Sequence, residues 1–90
     1  MLHASEGGHM ARYMVINSHK PEECEGMESD VDKLPPALKG IDFYCTCPFG
    51  EHGYYMFLEG DSSEEVLGLL PPSLRNVGKT RAVPYEIWQL

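Results

Sequence analysis

The sequence predicts an α+β domain with the element order β-α-β-β-α-β, and three observations carry that expectation. Residues 12–17, 41–47, 54–59 and 79–90 are rich in aromatic and β-branched side chains, the composition of strands. Two stretches between them space apolar residues three and four apart, as amphipathic helices do. Leu34-Pro35-Pro36-Ala37-Leu38-Lys39-Gly40 is echoed by Leu70-Pro71-Pro72-Ser73-Leu74-Arg75-Asn76. Each copy closes a helical stretch and leads into a strand, as the two halves of a split βαβ unit do.

The elements follow in order. Residues 12–17 (RYMVIN) form the first strand. A helix then opens at His19-Lys20-Pro21-Glu22-Glu23, with proline in the first turn and carboxylates near the positive helix end. Cys24, Met27, Val31 and Leu34 make its apolar stripe, Gly26 weakens it, and Pro35-Pro36 stops it. Residues 41–47 (IDFYCTC) and 54–59 (YYMFLE) are strands two and three, joined by a Pro-Gly-rich hairpin loop. Asp61, with Glu64 three residues on, caps a second helix whose buried side is Val66, Leu67, Leu69 and Leu70; Pro71-Pro72 ends it. Residues 79–90 close as a fourth strand, which Pro84 assigns to a sheet edge or a bulge. Right-handed crossovers put both helices on one face of an antiparallel sheet in the order 4-1-3-2, a ferredoxin-like arrangement.

Ninety residues make one domain. Residues 1–9 (MLHASEGGH) show no periodicity and read as an extraneous extension, with the domain over residues 10–90. The net charge of −7, with no Lys/Arg cluster, argues against nucleic acid and anionic membrane surfaces as partners. No apolar run reaches the ~20 residues of a bilayer span, and no secretory leader is visible. Three cysteines, an odd number, do not suggest a disulfide framework and fit a reducing, cytoplasmic setting.

Strands one and three, Tyr13-Met14-Val15-Ile16 and Tyr54-Tyr55-Met56-Phe57-Leu58, are apolar on both faces. Helices cover one face, and a second copy of the sheet is the economical cover for the other, so a homodimer is expected. With the passage His52-Gly53-Tyr54-Tyr55-Met56-Phe57-Leu58-Glu59-Gly60-Asp61-Ser62-Ser63-Glu64-Glu65-Val66, the pattern resembles the dimeric α/β-barrel superfamily, which includes muconolactone isomerase-like and antibiotic-biosynthesis monooxygenase-like proteins. The likeness is to short members of that group. It implies a small-molecule pocket between the sheets, or between sheet and helices, and assigns no catalytic residue by position.

Reactive residue types gather at one sheet edge. Strand pairing places Asn17 and His19, after strand one, beside His52, before strand three, with Cys45 and Cys47 of strand two at the same edge. As residues i and i+2 of a strand, Cys45 and Cys47 share a face. Two thiols and two imidazoles suit zinc or a similar soft metal, so Cys45, Cys47, His52 and His19 are the metal candidates. The simpler expectation is no cofactor, with both cysteines as small core residues. A reactive thiol is a third reading, and Cys24, on the helix stripe, reads as core. His52 and His19 are also the general acid/base candidates. Tyr54, Tyr13, Asn17, Cys45 and Cys47 are the candidate residues for binding a small molecule. The leading functional expectation is a non-catalytic or regulatory small-ligand-binding dimer. Its alternatives are a cofactor-free isomerase or monooxygenase-like enzyme using a histidine, or a thiol or metal site at the Cys45-Cys47-His52 edge.

Overall fold

The computed structural model describes residues 11–29 and 31–90. The expected extension over residues 1–9 lies outside them. One antiparallel sheet holds β1 (Ala11–Ser18), β2 (Tyr44–Cys45), β3 (Gly53–Gly60) and β4 (Lys79–Pro84), in the order β2-β3-β1-β4. This is the expected order read from the opposite edge. The α+β class and the antiparallel four-stranded sheet therefore agree with the sequence reading. No helix among the described residues is long and apolar enough to cross a membrane.

The pleat sorts each strand. Tyr13, Val15 and Asn17 of β1 and Tyr54, Met56 and Leu58 of β3 are buried on one face. There they meet Val66 and Leu74 from two short α-helices, Leu70 from the connection between those helices, and Met27 and Leu38. The register sets Tyr13 opposite Leu58 and Val15 opposite Met56. The other face carries Met14, Ile16, Tyr55 and Phe57 in the same register. Tyr55 and Phe57 are exposed, and Phe57 stacks edge-on with both Tyr44 and Tyr85. The doubly apolar strands thus leave an aromatic row on the helix-free face.

Three expectations are corrected. The first helix is not α-helical: residues 21–38 form 3₁₀ turns at Pro21–Glu28, Val31–Lys33 and Pro36–Leu38. Gly26 and Pro35-Pro36 interrupt the segment, and among its described side chains only Met27 and Leu38 are deeply buried, too little apolar contact to reward a continuous α-helix. The second strand is two residues long, not seven. Thr46 turns out of the extended region (φ −102°, ψ 2°), and Pro48 follows with no N–H to donate. The last strand stops at Pro84, on the sheet edge.

The expected second helix is α1 (Ser63–Gly68), and a separate turn, α2 (Pro72–Arg75), follows where Pro71-Pro72 is expected to end it. The cap of α1 is Ser62 rather than Asp61. Ser62 Oγ accepts from the Glu65 N–H at 3.1 Å, while Glu65 Oε1 accepts from the Asp61 N–H. The Leu-Pro-Pro echo is structural. Pro35 and Pro71 hold the same extended conformation (ψ 159° and 153°), and each starts one helical turn that buries Leu38 or Leu74.

Tyr54 ties α2 to the sheet. Its ring is fully buried, and its hydroxyl donates to the Leu74 carbonyl. Burial pushes the phenol up to about 12. A raised pKa means stability that is complete below the unfolded value of about 10 and lost as pH climbs towards 12. Denaturant unfolding at pH 8 and pH 11 should show a loss of about 1.4 kcal/mol from this group. Tyr54→Phe should remove that alkaline loss while costing about 1–3 kcal/mol at neutral pH, because the Leu74 carbonyl loses its donor.

Candidate metal centre

Four side chains converge where β1 ends and β3 begins. His19 lies one residue past β1, and its N–H donates to the His52 carbonyl at 3.0 Å. The β1–β3 ladder therefore runs one pair beyond the strands and sets the two imidazoles side by side, ring centroids 6.1 Å apart. Two glycines permit this approach. A Cβ on Gly53 would overlap the Asn17 carbonyl oxygen, and one on Gly78, at φ +57°, would overlap the Ser18 carbonyl and His19.

Cys24 comes from the Pro21–Glu28 turn, whose start is pinned by Glu23. That carboxylate accepts from the Lys20 N–H at 2.8 Å and the Gly78 N–H at 3.3 Å. The Lys20 amide, chiefly, holds the Glu23 carboxyl below its usual range. Cys47 opens a short 3₁₀ turn, Cys47–Phe49, closed by Gly50 in the left-handed region. The Thr46 hydroxyl donates to the Glu51 carbonyl, within the loop that leads to His52.

The donor atoms of His19, Cys24, Cys47 and His52 all lie within 4.8 Å of one another. Cys24 Sγ is the hub: 3.2 Å from His19 Nε2, 3.2 Å from His52 Nδ1 and 3.5 Å from Cys47 Sγ. Cys47 Sγ is 3.3 Å from His19 Nε2. Zinc bonds of about 2.3 Å to sulfur and 2.0–2.1 Å to nitrogen give tetrahedron edges of about 3.8 Å (S–S) and 3.5 Å (S–N). The four separations just given fall within a few tenths of an ångström of these edges, and every pair of the set lies within 4.8 Å, so the cluster could hold a metal ion. Two thiolates and two neutral imidazoles around a divalent cation would sum to zero charge, which suits a half-buried place.

Behind the cluster stands Asn17, buried at 3 % exposure. Its amide nitrogen donates to the Val77 carbonyl at 2.7 Å and to Thr80 Oγ1 at 2.8 Å. Those two bonds fix which end of the amide is oxygen, and Asn17 Oδ1 lies 2.7 Å from His19 Nδ1. His19 must then carry its proton on Nδ1, leaving the Nε2 lone pair aimed at both thiols.

The structure brings together three of the four expected metal residues, His19, His52 and Cys47. The fourth position belongs to Cys24, assigned from sequence to the core, and not to Cys45. The i, i+2 argument for Cys45 and Cys47 fails because the strand ends between them, at Thr46. A signal for Cys24 was present in the spacing: His19-x4-Cys24 is mirrored by Cys47-x4-His52. Of the candidate ligand-binding residues, Tyr13 and Tyr54 are core and Asn17 supports His19.

Cys45 instead borders a cleft of about 430 Å³ between the sheet and the 3₁₀ segment, beside Met27, Leu38, Phe43, Met56 and Leu74. Burial pushes the Cys45 thiol up and keeps it neutral at physiological pH. Among the described residues, no charged side chain lines the cleft. In comparison with known proteins, the chain matches no family model, no curated protein and no solved structure.

Proposed function

We propose that this chain is a small metal-binding domain. A zinc ion, or another soft divalent ion, bound by His19, Cys24, Cys47 and His52 would staple the 3₁₀ segment to the sheet. The observation that carries this reading is the convergence of four donors within 4.8 Å from two mirrored arms. Four protein ligands fill a tetrahedral shell and leave no place for a substrate or a reactive water, so the role is structural rather than catalytic. Both histidines are used as ligands, which removes them as general bases.

Metal analysis of the purified protein, followed by cobalt substitution, tests the reading. One equivalent of zinc is expected, with the visible absorption of tetrahedral cobalt on exchange. Absence of any tight-binding ion, or octahedral cobalt, refutes it. Affinity should fall by about two decades per pH unit where the thiols alone are protonated, and more steeply once the imidazoles are, because each ligand must lose its proton. Asn17→Ala should weaken zinc binding about 10- to 100-fold, since His19 then loses the partner that fixes its tautomer and orientation. Competition against a chromophoric chelator reads that change directly.

A second reading concerns the ferredoxin-like homodimer and its small ligand. The row of exposed Tyr44 and Phe57 with half-buried Tyr85 on the helix-free face supports a two-fold pairing of sheets. The uncharged cleft beside Cys45 supports a neutral, apolar small molecule as ligand. These roles are compatible with a structural metal, because they use different surfaces of the domain.

A further inference from the structure

We propose that the metal centre is also a redox-controlled release device, in which a hydroperoxide discharges the ion by joining Cys24 to Cys47. This rests on the metal-binding reading above. The two sulfur atoms belong to residues 23 apart in the chain and sit 3.5 Å from each other, in contact without an intervening side chain. Bonding would bring them to about 2.05 Å, whereas a tetrahedral ion needs them about 3.8 Å apart. The metal and the disulfide therefore exclude each other at one pair of atoms.

The chemistry balances with a hydroperoxide as the named oxidant. One metal-bound thiolate attacks the peroxide oxygen, the O–O bond breaks, and the product is a sulfenic acid plus water or alcohol. The second thiolate attacks that sulfur, the S–O bond breaks, and a proton carries the oxygen away as water. The thiolate pair loses two electrons, and the peroxide gains them. Two of four ligands are then gone, and two imidazoles alone do not hold zinc against solvent or a chelator. The Pro21–Glu28 turn stays tied to the Cys47 loop, now covalently. Oxidation would thus exchange one staple for another, so the domain would release its ion without unfolding.

Cys45 supplies the internal control. It lies two residues from Cys47, but it stands outside the donor cluster and borders the apolar cleft instead. The experiment treats the zinc-loaded full chain with hydrogen peroxide, in the presence of a zinc-sensing dye, and maps disulfides by mass after tryptic digestion. Cleavage after Lys33 and Lys39 separates the peptide bearing Cys24 from the one bearing Cys45 and Cys47. The expected result is loss of the whole equivalent of zinc, in step with formation of a linked peptide pair lighter by two hydrogens. Cys45→Ser should release the same equivalent of zinc with the same Cys24–Cys47 link, and reductant plus zinc should restore the starting state. Retention of zinc under peroxide overturns the proposal. So does release accompanied by a Cys45–Cys47 bridge or by sulfinic and sulfonic acids, with the two peptides unlinked. A chain that binds no zinc before treatment removes the metal-binding reading itself, which separates the two failures.

Discussion

Stripping the ion with a chelator is expected to lower the melting temperature by roughly 15–30 °C. The figure follows from linkage. Free zinc at a thousandfold above Kd stabilises the folded state by about 4 kcal/mol. In a domain of this size, 1 kcal/mol moves the midpoint by about 4–8 °C. The loss should begin locally. Residues 21–38 contain only 3₁₀ turns, whose hydrogen bonds are poorer than those of an α-helix, and they reach the core chiefly through Met27 and Leu38. Hydrogen exchange should therefore speed up first in the Pro21–Glu28 turn and in the loop preceding His52, with β1 and β3 protected until global unfolding. Cys24→Ser should reproduce the effect of the chelator, and adding zinc should not rescue it. Equal melting temperatures with and without chelator would show that the cluster does not contribute to the fold.

Neighbouring residues on β3 should give opposite results when each is replaced by aspartate. Met56 is 3 % exposed and faces the helices; Phe57 is 39 % exposed and faces away from them. Met56→Asp buries an unpaired carboxylate and removes a core side chain, a cost of several kcal/mol that a 90-residue domain does not survive. Phe57→Asp leaves the core intact. Its effect should fall on association, because Phe57 is the centre of the aromatic row that includes Tyr44 and Tyr85. Sedimentation of the parent chain should show a dimer at micromolar concentration, and Phe57→Asp should shift it to a folded monomer with an unchanged circular dichroism spectrum. A parent chain that sediments as a monomer would refute the pairing of sheets, and a Met56→Asp variant that folds normally would refute the placement of the core.

Aromatic and β-branched composition and turn chemistry carried most of the sheet in the sequence. The run Tyr54 to Leu58 fixes β3, Pro84 marks the edge strand, and the two Leu-Pro-Pro phrases mark two equivalent turns. Residues 21–38 misled because the spacing of Cys24, Met27, Val31 and Leu34 fits a period of 3.6, while the chain there winds with a period nearer three. On the 3₁₀ turn, Cys24 points towards the end of β1, and only Met27 reaches the deep core. Asn17 was legible as part of the edge, but its role was not. That role depends on Val77 and Thr80, sixty and more residues away, which no local pattern connects to it. The Thr46 kink was equally hidden, since nothing in Cys45-Thr46-Cys47 distinguishes a strand that continues from one that stops.

The position of the four donors along the chain bears on the order in which the molecule is made. His52, the last of them, immediately precedes β3, the strand that pairs with both β1 and β2. A growing chain therefore completes its metal-binding set before it possesses the central strand of its sheet. An ion caught at that stage would hold the end of β1 beside the first residue of β3 as that strand emerges. The entropic cost of closing the long loop between them would be met by coordination rather than by strand pairing. Each arm, with only four residues between its imidazole and its thiol, can grip an ion while the rest of the domain is still unformed. If the ion binds, the centre would in the order of synthesis be a nucleus, and the sheet would be what grows from it.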